Sequence, residues 1–126
     1  MANPNIVSAT QIYARTTGVK AMPTGTNTLL SNASSSGKAF LVESLIVANT
    51  DTNAVSVSVS HWNNATPGAT GATGVAICSS VNVPSGQSLV VLEKVTSRNL
   101  LEGQSLAVVA SAGGKLDVSC DYKEIS

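Results

Sequence analysis

Val55, Val57 and Val59 alternate with Ser56, Ser58 and Ser60, which is the period of a strand with one face in a core and the other in water. His61 continues the valine face and Trp62 the serine face, so the lone tryptophan is expected on the polar side near the strand end. The densest apolar run is KAFLVESLIVAN, residues 38–49. Its two alternating faces, Phe40/Val42/Ser44/Ile46/Ala48 and Leu41/Glu43/Leu45/Val47, are both mostly apolar, which predicts a central strand covered on both sides or nearly so.

The remaining segments are shorter and are set off by turn signals. Residues 7–22 alternate β-branched and aromatic positions (Val7, Thr10, Ile12, Val19) and break near Gly18, predicting one long or bulged strand. Residues 27–31 form a short strand around Leu29 and Leu30, and NASSSG, residues 32–37, a flexible loop. Residues 75–83 place Val75, Ile77, Val81 and Val83 inward. Residues 88–92 make a short apolar strand, and in residues 104–111 Leu106, Val108 and Ala110 share a face. In residues 115–125 Leu116, Val118, Cys120 and Tyr122 oppose Lys115, Asp117, Ser119, Asp121 and Lys123, leaving one wet face. Thr50-Asp51-Thr52-Asn53 and Ala112-Gly113-Gly114 read as hairpin connections, and Pro84-Ser85-Gly86-Gln87 as a turn. NNATPGATGATG, residues 63–74, reads as a mobile loop, since two Gly triplets are far too few for a triple helix.

About eight strands and no helical period predict an all-β fold, a compact antiparallel β-sandwich of jelly-roll or immunoglobulin-like kind. Strand order is not written in the pattern. Residues 1–6, with Pro4 and Ile6, read as an extended N-terminal arm, and residues 7–126 as a single sandwich domain.

Composition sharpens this picture in one respect. Charged residues make up 11% of the 126 residues, against about 25% in an average soluble protein, so the surface is polar but largely uncharged. Seven basic residues balance seven acidic ones, which leaves no electrostatic footprint for nucleic acid or an anionic membrane and nothing to keep copies apart. Cys78 and Cys120 both sit in strand segments among apolar neighbours and are read as buried free thiols. The opening MANPNIVSAT has neither the basic nor the apolar region of a secretory signal, no stretch is long and apolar enough for a transmembrane helix, and the sequons at Asn32 and Asn64 are then incidental.

Candidate chemistry is sparse. A Ser or Cys hydrolase needs a histidine set against its nucleophile, and the one histidine, His61, has no nucleophile elbow to serve. One His and two distant Cys cannot make a zinc site, and Asp51, Asp117 and Asp121 lack calcium-loop spacing. The Gly-rich stretch carries no phosphate-cradling motif. Phe40, Trp62, Tyr13 and Tyr122 are too scattered for base stacking. No enzymatic activity and no cofactor are expected. Glycan binding through Trp62 and its neighbouring asparagines stays open, beside a role for Trp62 at a partner interface.

The opening MANPNIV, the Ile12-Tyr13 pair, the block SNASSSGKAFLVESLIVANTD, the turn LLEGQSL and the ending DYKEIS together resemble small virion structural proteins of tailed bacteriophages that infect cyanobacteria. The resemblance covers most of the chain and is weakest across residues 62–74. It implies a non-enzymatic structural role in the virion, assembled in the host cytoplasm. Foremost is a capsid decoration or cement protein bound to the major capsid protein or other virion proteins; the alternatives are a tail, neck or fibre component and a receptor- or glycan-binding module. A homo-oligomer, with a closed trimer as one form, fits a surface used for contacts. The expected contact elements are the arm (Pro4, Ile6), the Trp62 loop and the 93–101 connection with Leu100.

Overall fold

The computed structural model describes residues 8–126; the predicted arm, with Pro4 and Ile6, lies outside the described residues. Nine strands follow in order: β1 (Ile12–Val19), β2 (Asn27–Asn32), β3 (Ala39–Asn49), β4 (Val55–Trp62), β5 (Gly74–Val83), β6 (Ser88–Leu92), β7 (Arg98–Leu100), β8 (Gln104–Ala110) and β9 (Leu116–Ile125). A 3₁₀ turn, Lys94–Thr96, separates β6 from β7. The first strand begins at Ile12, later than the alternation from residue 7 suggested.

One sheet has the order β1-β9-β3-β6, with β7 also paired to β3; the other has the order β2-β8-β4-β5. Strands β6 and β7 share one edge of β3 end to end, β7 against Phe40–Val42 and β6 against Leu45–Ala48, so they act as one strand broken by the 3₁₀ turn. With that strand counted once, the antiparallel pairs nest: β4 with β5, β3 with β6/β7, β2 with β8, β1 with β9. Alternate pairs lie in alternate sheets. This is the jelly-roll solution of the sandwich, so the choice left open by the pattern resolves away from the immunoglobulin-like form.

Nesting corrects two turn assignments. Strands β3 and β4 lie in different sheets, as do β8 and β9, so Thr50–Asn53 and Ala112–Gly114 are crossings between sheets and not hairpin turns. Among consecutive strands, only β4 and β5 pair with each other, and the long Gly-rich segment joins them.

The core fills the space between the sheets with Met22, Leu29, Leu30, Phe40, Val42, Leu45, Val47, Val55, Val57, Val59, Leu106, Val108, Leu116, Val118 and their neighbours. The valine face of β4 lies inward as its alternation predicts. In β3 the pairing with β9 shifts between Val42 and Ser44, so Glu43 is an extra residue. The bulge inverts the phase: Phe40 and Val42 are inward before it, Leu45, Val47 and Asn49 after it. The strand is therefore covered on one face, and the two-sided apolar pattern arises from the bulge. Ile46 faces outward at 37% exposure, paired with Val90.

Two buried asparagines link the layers. The Asn32 amide donates to the carbonyls of Lys38 (2.8 Å) and Leu100 (3.1 Å) while its oxygen accepts from the Ser36 hydroxyl. The Asn49 amide donates to the carbonyls of Asn53 and Val83, both at 2.8 Å, and its oxygen accepts from the Asp51 N–H. A buried amide so fully partnered meets the demand that interior polar groups be bonded. Because Leu100 and Val83 belong to the sheet opposite their asparagine, each side chain ties the two sheets together. Both cysteines are free; Cys120 is buried, and burial followed by the neighbouring Asp121 charge pushes its thiol up to about 12.

Candidate functional site

Strand β4 ends in His61 and Trp62, and their opposite directions organise this end of the sandwich. Trp62 stays on the serine face, and its indole N–H donates to the Ser60 hydroxyl at 2.8 Å. Its ring lies over the backbone of Gly74, the residue paired with it across the hairpin. A Cβ at position 74 would come within 2.6 Å of the indole carbons, which is why a glycine opens β5. The tryptophan is half-buried by this contact and is not an open stacking platform.

The segment between β4 and β5 is pinned, correcting its reading as mobile. Asn63 and Thr73 bond reciprocally: Asn63 N–H to the Thr73 carbonyl, and Thr73 N–H to Asn63 Oδ1 at 2.7 Å. The Ser31 and Ser105 hydroxyls each donate, at 2.7 Å, to the carbonyls of Ala65 and Asn64. The loop thus folds back onto the outer face of the second sheet, and Ser105 and Ala107 on that face are fully buried. Small side chains make the approach possible, a signal present in the sequence as the Ser/Ala composition of this face.

His61 takes the other direction, toward the mouth between the sheets. Its Nε2 lies 3.0 Å from Gln104 Oε1, which also accepts the Leu101 N–H at 3.0 Å. Arg98 Nε donates to His61 Nδ1 at 3.4 Å. With Nδ1 accepting, the proton sits on Nε2 and the ring is neutral. Burial is the main cause that lowers the His61 pKa from its ordinary value; the Gln104 bond opposes it and the Arg98 charge adds to it. These residues, with Asn63, Thr73 and Val75, line a cleft of about 310 Å³. Val75 is 58% exposed at its rim, whereas the alternation had placed it inward.

Of the contact residues expected from sequence, Trp62 is half-buried against Gly74, and Leu100 is 1% exposed, in the core. Leu100 therefore offers no side chain to a partner; Val95, within the 3₁₀ turn that precedes β7, is 91% exposed instead. Pattern reading passed over Val95 because the 93–99 connection is rich in polar and charged residues. The cleft residues Arg98, Gln104 and Thr73 were not singled out either, since no motif unites them and only the nested topology brings them together. The His61 ring bonds to an amide and a guanidinium, not to a hydroxyl or thiol. Among the described residues no group of three or more His, Cys, Asp or Glu is placed to hold a metal ion.

Strands β5 and β6, which lie side by side at the border of the two sheets, contain no charged residue, although exposed edges are commonly guarded by Lys or Pro. Val75, Val90 and Val95 are 58%, 55% and 91% exposed along this side.

No protein family matches this chain, and no curated protein matches it significantly. Solved structures share its fold. A chain in the crystal structure of the T13 viral particle of infectious bursal disease virus aligns with a TM-score of 0.51 and 12% identity over 94% of this chain and 32% of its own length. A chain of the Gx strain of that virus aligns with a TM-score of 0.50 and 14% identity over 94% of this chain and 34% of its own length. The chain spans about a third of the length of these neighbours, and at such identity what they share with it is the jelly-roll sandwich.

Proposed function

We propose that this chain is a non-enzymatic structural protein of a virion and, more narrowly, a decoration or cement protein that binds the assembled head of a tailed bacteriophage through its major capsid protein. The observation that carries this reading is the charge-free border of β5 and β6, with Val90 exposed on it and Val95 exposed in the 3₁₀ turn that follows. A side of this kind suits permanent cover by another protein surface. The sequence resemblance to phage virion proteins and the fold shared with chains of a viral particle point the same way, although the jelly roll also serves lectins and other proteins. A cement protein binds only the assembled shell and so stabilises it by mass action. The half-buried Trp62, held over Gly74, argues against a glycan module built on that ring.

Immunogold labelling of intact virions with antibody to this chain is the test. Label spread over the heads, together with loss of occupancy in the variants Val90→Lys and Val95→Asp, is the expected result. Label confined to the neck, tail or fibre overturns the decoration role, and absence of label from the particle overturns the virion role.

A further inference from the structure

We propose that the cleft lined by His61, Arg98 and Gln104 is a binding site for a small carboxylated sugar. The argument rests on which hydrogen-bonding groups are already used and is independent of the virion role. The amide and imidazole acceptors of the cleft are taken by the chain itself. Gln104 Oε1 accepts from the His61 ring and from the Leu101 N–H, Asn63 Oδ1 accepts from the Thr73 N–H, and His61 Nδ1 accepts from Arg98 Nε. These bonds also fix the direction of both amides. The Gln104 and Asn63 NH₂ groups and the terminal nitrogens of Arg98 are left as donors, and Arg98 takes part in none of the ion pairs among the described residues. No buried side-chain polar atom among those residues lacks a partner, so these donors face solvent.

A cleft rich in donors is complementary to a ligand rich in acceptors. A guanidinium held by its Nε still presents both terminal nitrogens, the fork that receives a carboxylate in bidentate fashion. His61 is neutral, so the cleft carries one positive charge; that balances a monocarboxylate and leaves a phosphate dianion half-compensated. Two amides and the Thr73 hydroxyl beside the guanidinium match hydroxyls next to the carboxylate, and exposed Val75 offers an apolar wall to a sugar's C–H face. The volume of about 310 Å³ lies at the small end of ligand sites, near about 300 Å³, and suits a ligand of monosaccharide size.

The test is an NMR titration of the Gln104 side-chain NH₂ resonances with sodium glucuronate, using glucose and inorganic phosphate as controls. The expected result is a saturable shift with glucuronate, binding of glucose and phosphate weaker by at least about tenfold, and loss of the response in Arg98→Gln. Val75→Glu, a change at an exposed position that sets a like charge at the rim, should weaken glucuronate by about tenfold as well and covers the case in which Arg98→Gln fails to fold. Equal binding of glucose, equal binding of phosphate, no saturable response, or glucuronate binding unchanged in either folded variant overturns the proposal.

Discussion

At the scale of single residues, the least replaceable polar side chains are two asparagines at strand ends, Asn49 closing the predicted central strand and Asn32 opening a predicted loop. Asn49 is 3% exposed and spends both amide hydrogens on carbonyls, one of them Val83 in the opposite sheet. Replacing Asn49 by Ala strands two carbonyls and the Asp51 N–H in a region with little access to water. An unmet buried partner costs about 1–3 kcal/mol, so Asn49→Ala is expected to lower stability by about 2–3 kcal/mol, read from the urea midpoint at constant slope. Asn49→Asp is expected to do worse, because a carboxylate would face the carbonyls that the amide now serves. Asn32 sits in the same situation, and both of its amide hydrogens are already engaged by carbonyls, so the sequon that begins there offers no free nitrogen.

At the scale of elements, the bulge at Glu43 decides which side chains of β3 reach the core. Glu43 itself makes only a partly exposed ion pair with Lys123, at 3.0 Å, and exposed pairs contribute about 0–1 kcal/mol. Glu43→Ala is therefore expected to be nearly neutral. Inserting a second residue after Glu43 adds to the bulge an extra position that the pairing with β9 does not absorb, and a one-residue slip sends every later side chain to the other face. Leu45 and Val47 alone would then forfeit about 3–6 kcal/mol of burial, close to the whole stability of a small domain at about 5–15 kcal/mol. The expected outcome is loss of cooperative thermal unfolding for the insertion beside a nearly unchanged melting curve for the alanine variant. The same element shows what a period can and cannot convey. Strand β4 was legible because Val55, Val57 and Val59 keep one phase from end to end and the other face is serine. In β3 both phases are apolar, since each supplies the core on one side of the bulge, and nothing at Glu43 marks the change. Short turns were likewise visible as turns, but whether they join paired strands or cross between sheets depends on nested long-range pairing. The cleft shares that fate: His61, Thr73, Arg98 and Gln104 come from four places in the chain and meet only after the roll closes.

At the scale of the whole molecule, seven acids and seven bases balance at neutral pH, and acid removes that balance in two steps. The first involves His61. Its pKa is lowered chiefly by burial, so the unfolded chain binds a proton at this site more readily than the folded one. The stability that follows is complete above about pH 6.5 and is lost as pH falls through the lower folded value. The second step involves Glu124, whose carboxylate lies at 8% exposure between Lys38 and Arg15. The Lys38 bond is the main cause that lowers its pKa; burial opposes it and Arg15 assists. Its stabilisation is complete above about pH 4.5 and disappears as pH falls through the depressed folded value. Asp51, lowered mainly by the Thr52 backbone N–H, acts in the same direction at its own carboxyl range. Below that range the seven basic residues remain charged with no acids to offset them, and mutual repulsion adds to the loss. Urea midpoints at about pH 7, 5.5 and 3.5 should therefore fall in both intervals, with the larger drop in the second. In His61→Gln the first drop should shrink while the second stays. In Glu124→Gln the protein should start less stable at neutral pH and lose less in the second interval, since the group whose protonation breaks the Lys38 and Arg15 pairs is gone. If Glu124→Gln keeps the full drop of the parent chain, the acid sensitivity belongs to general charge repulsion and not to this buried pair.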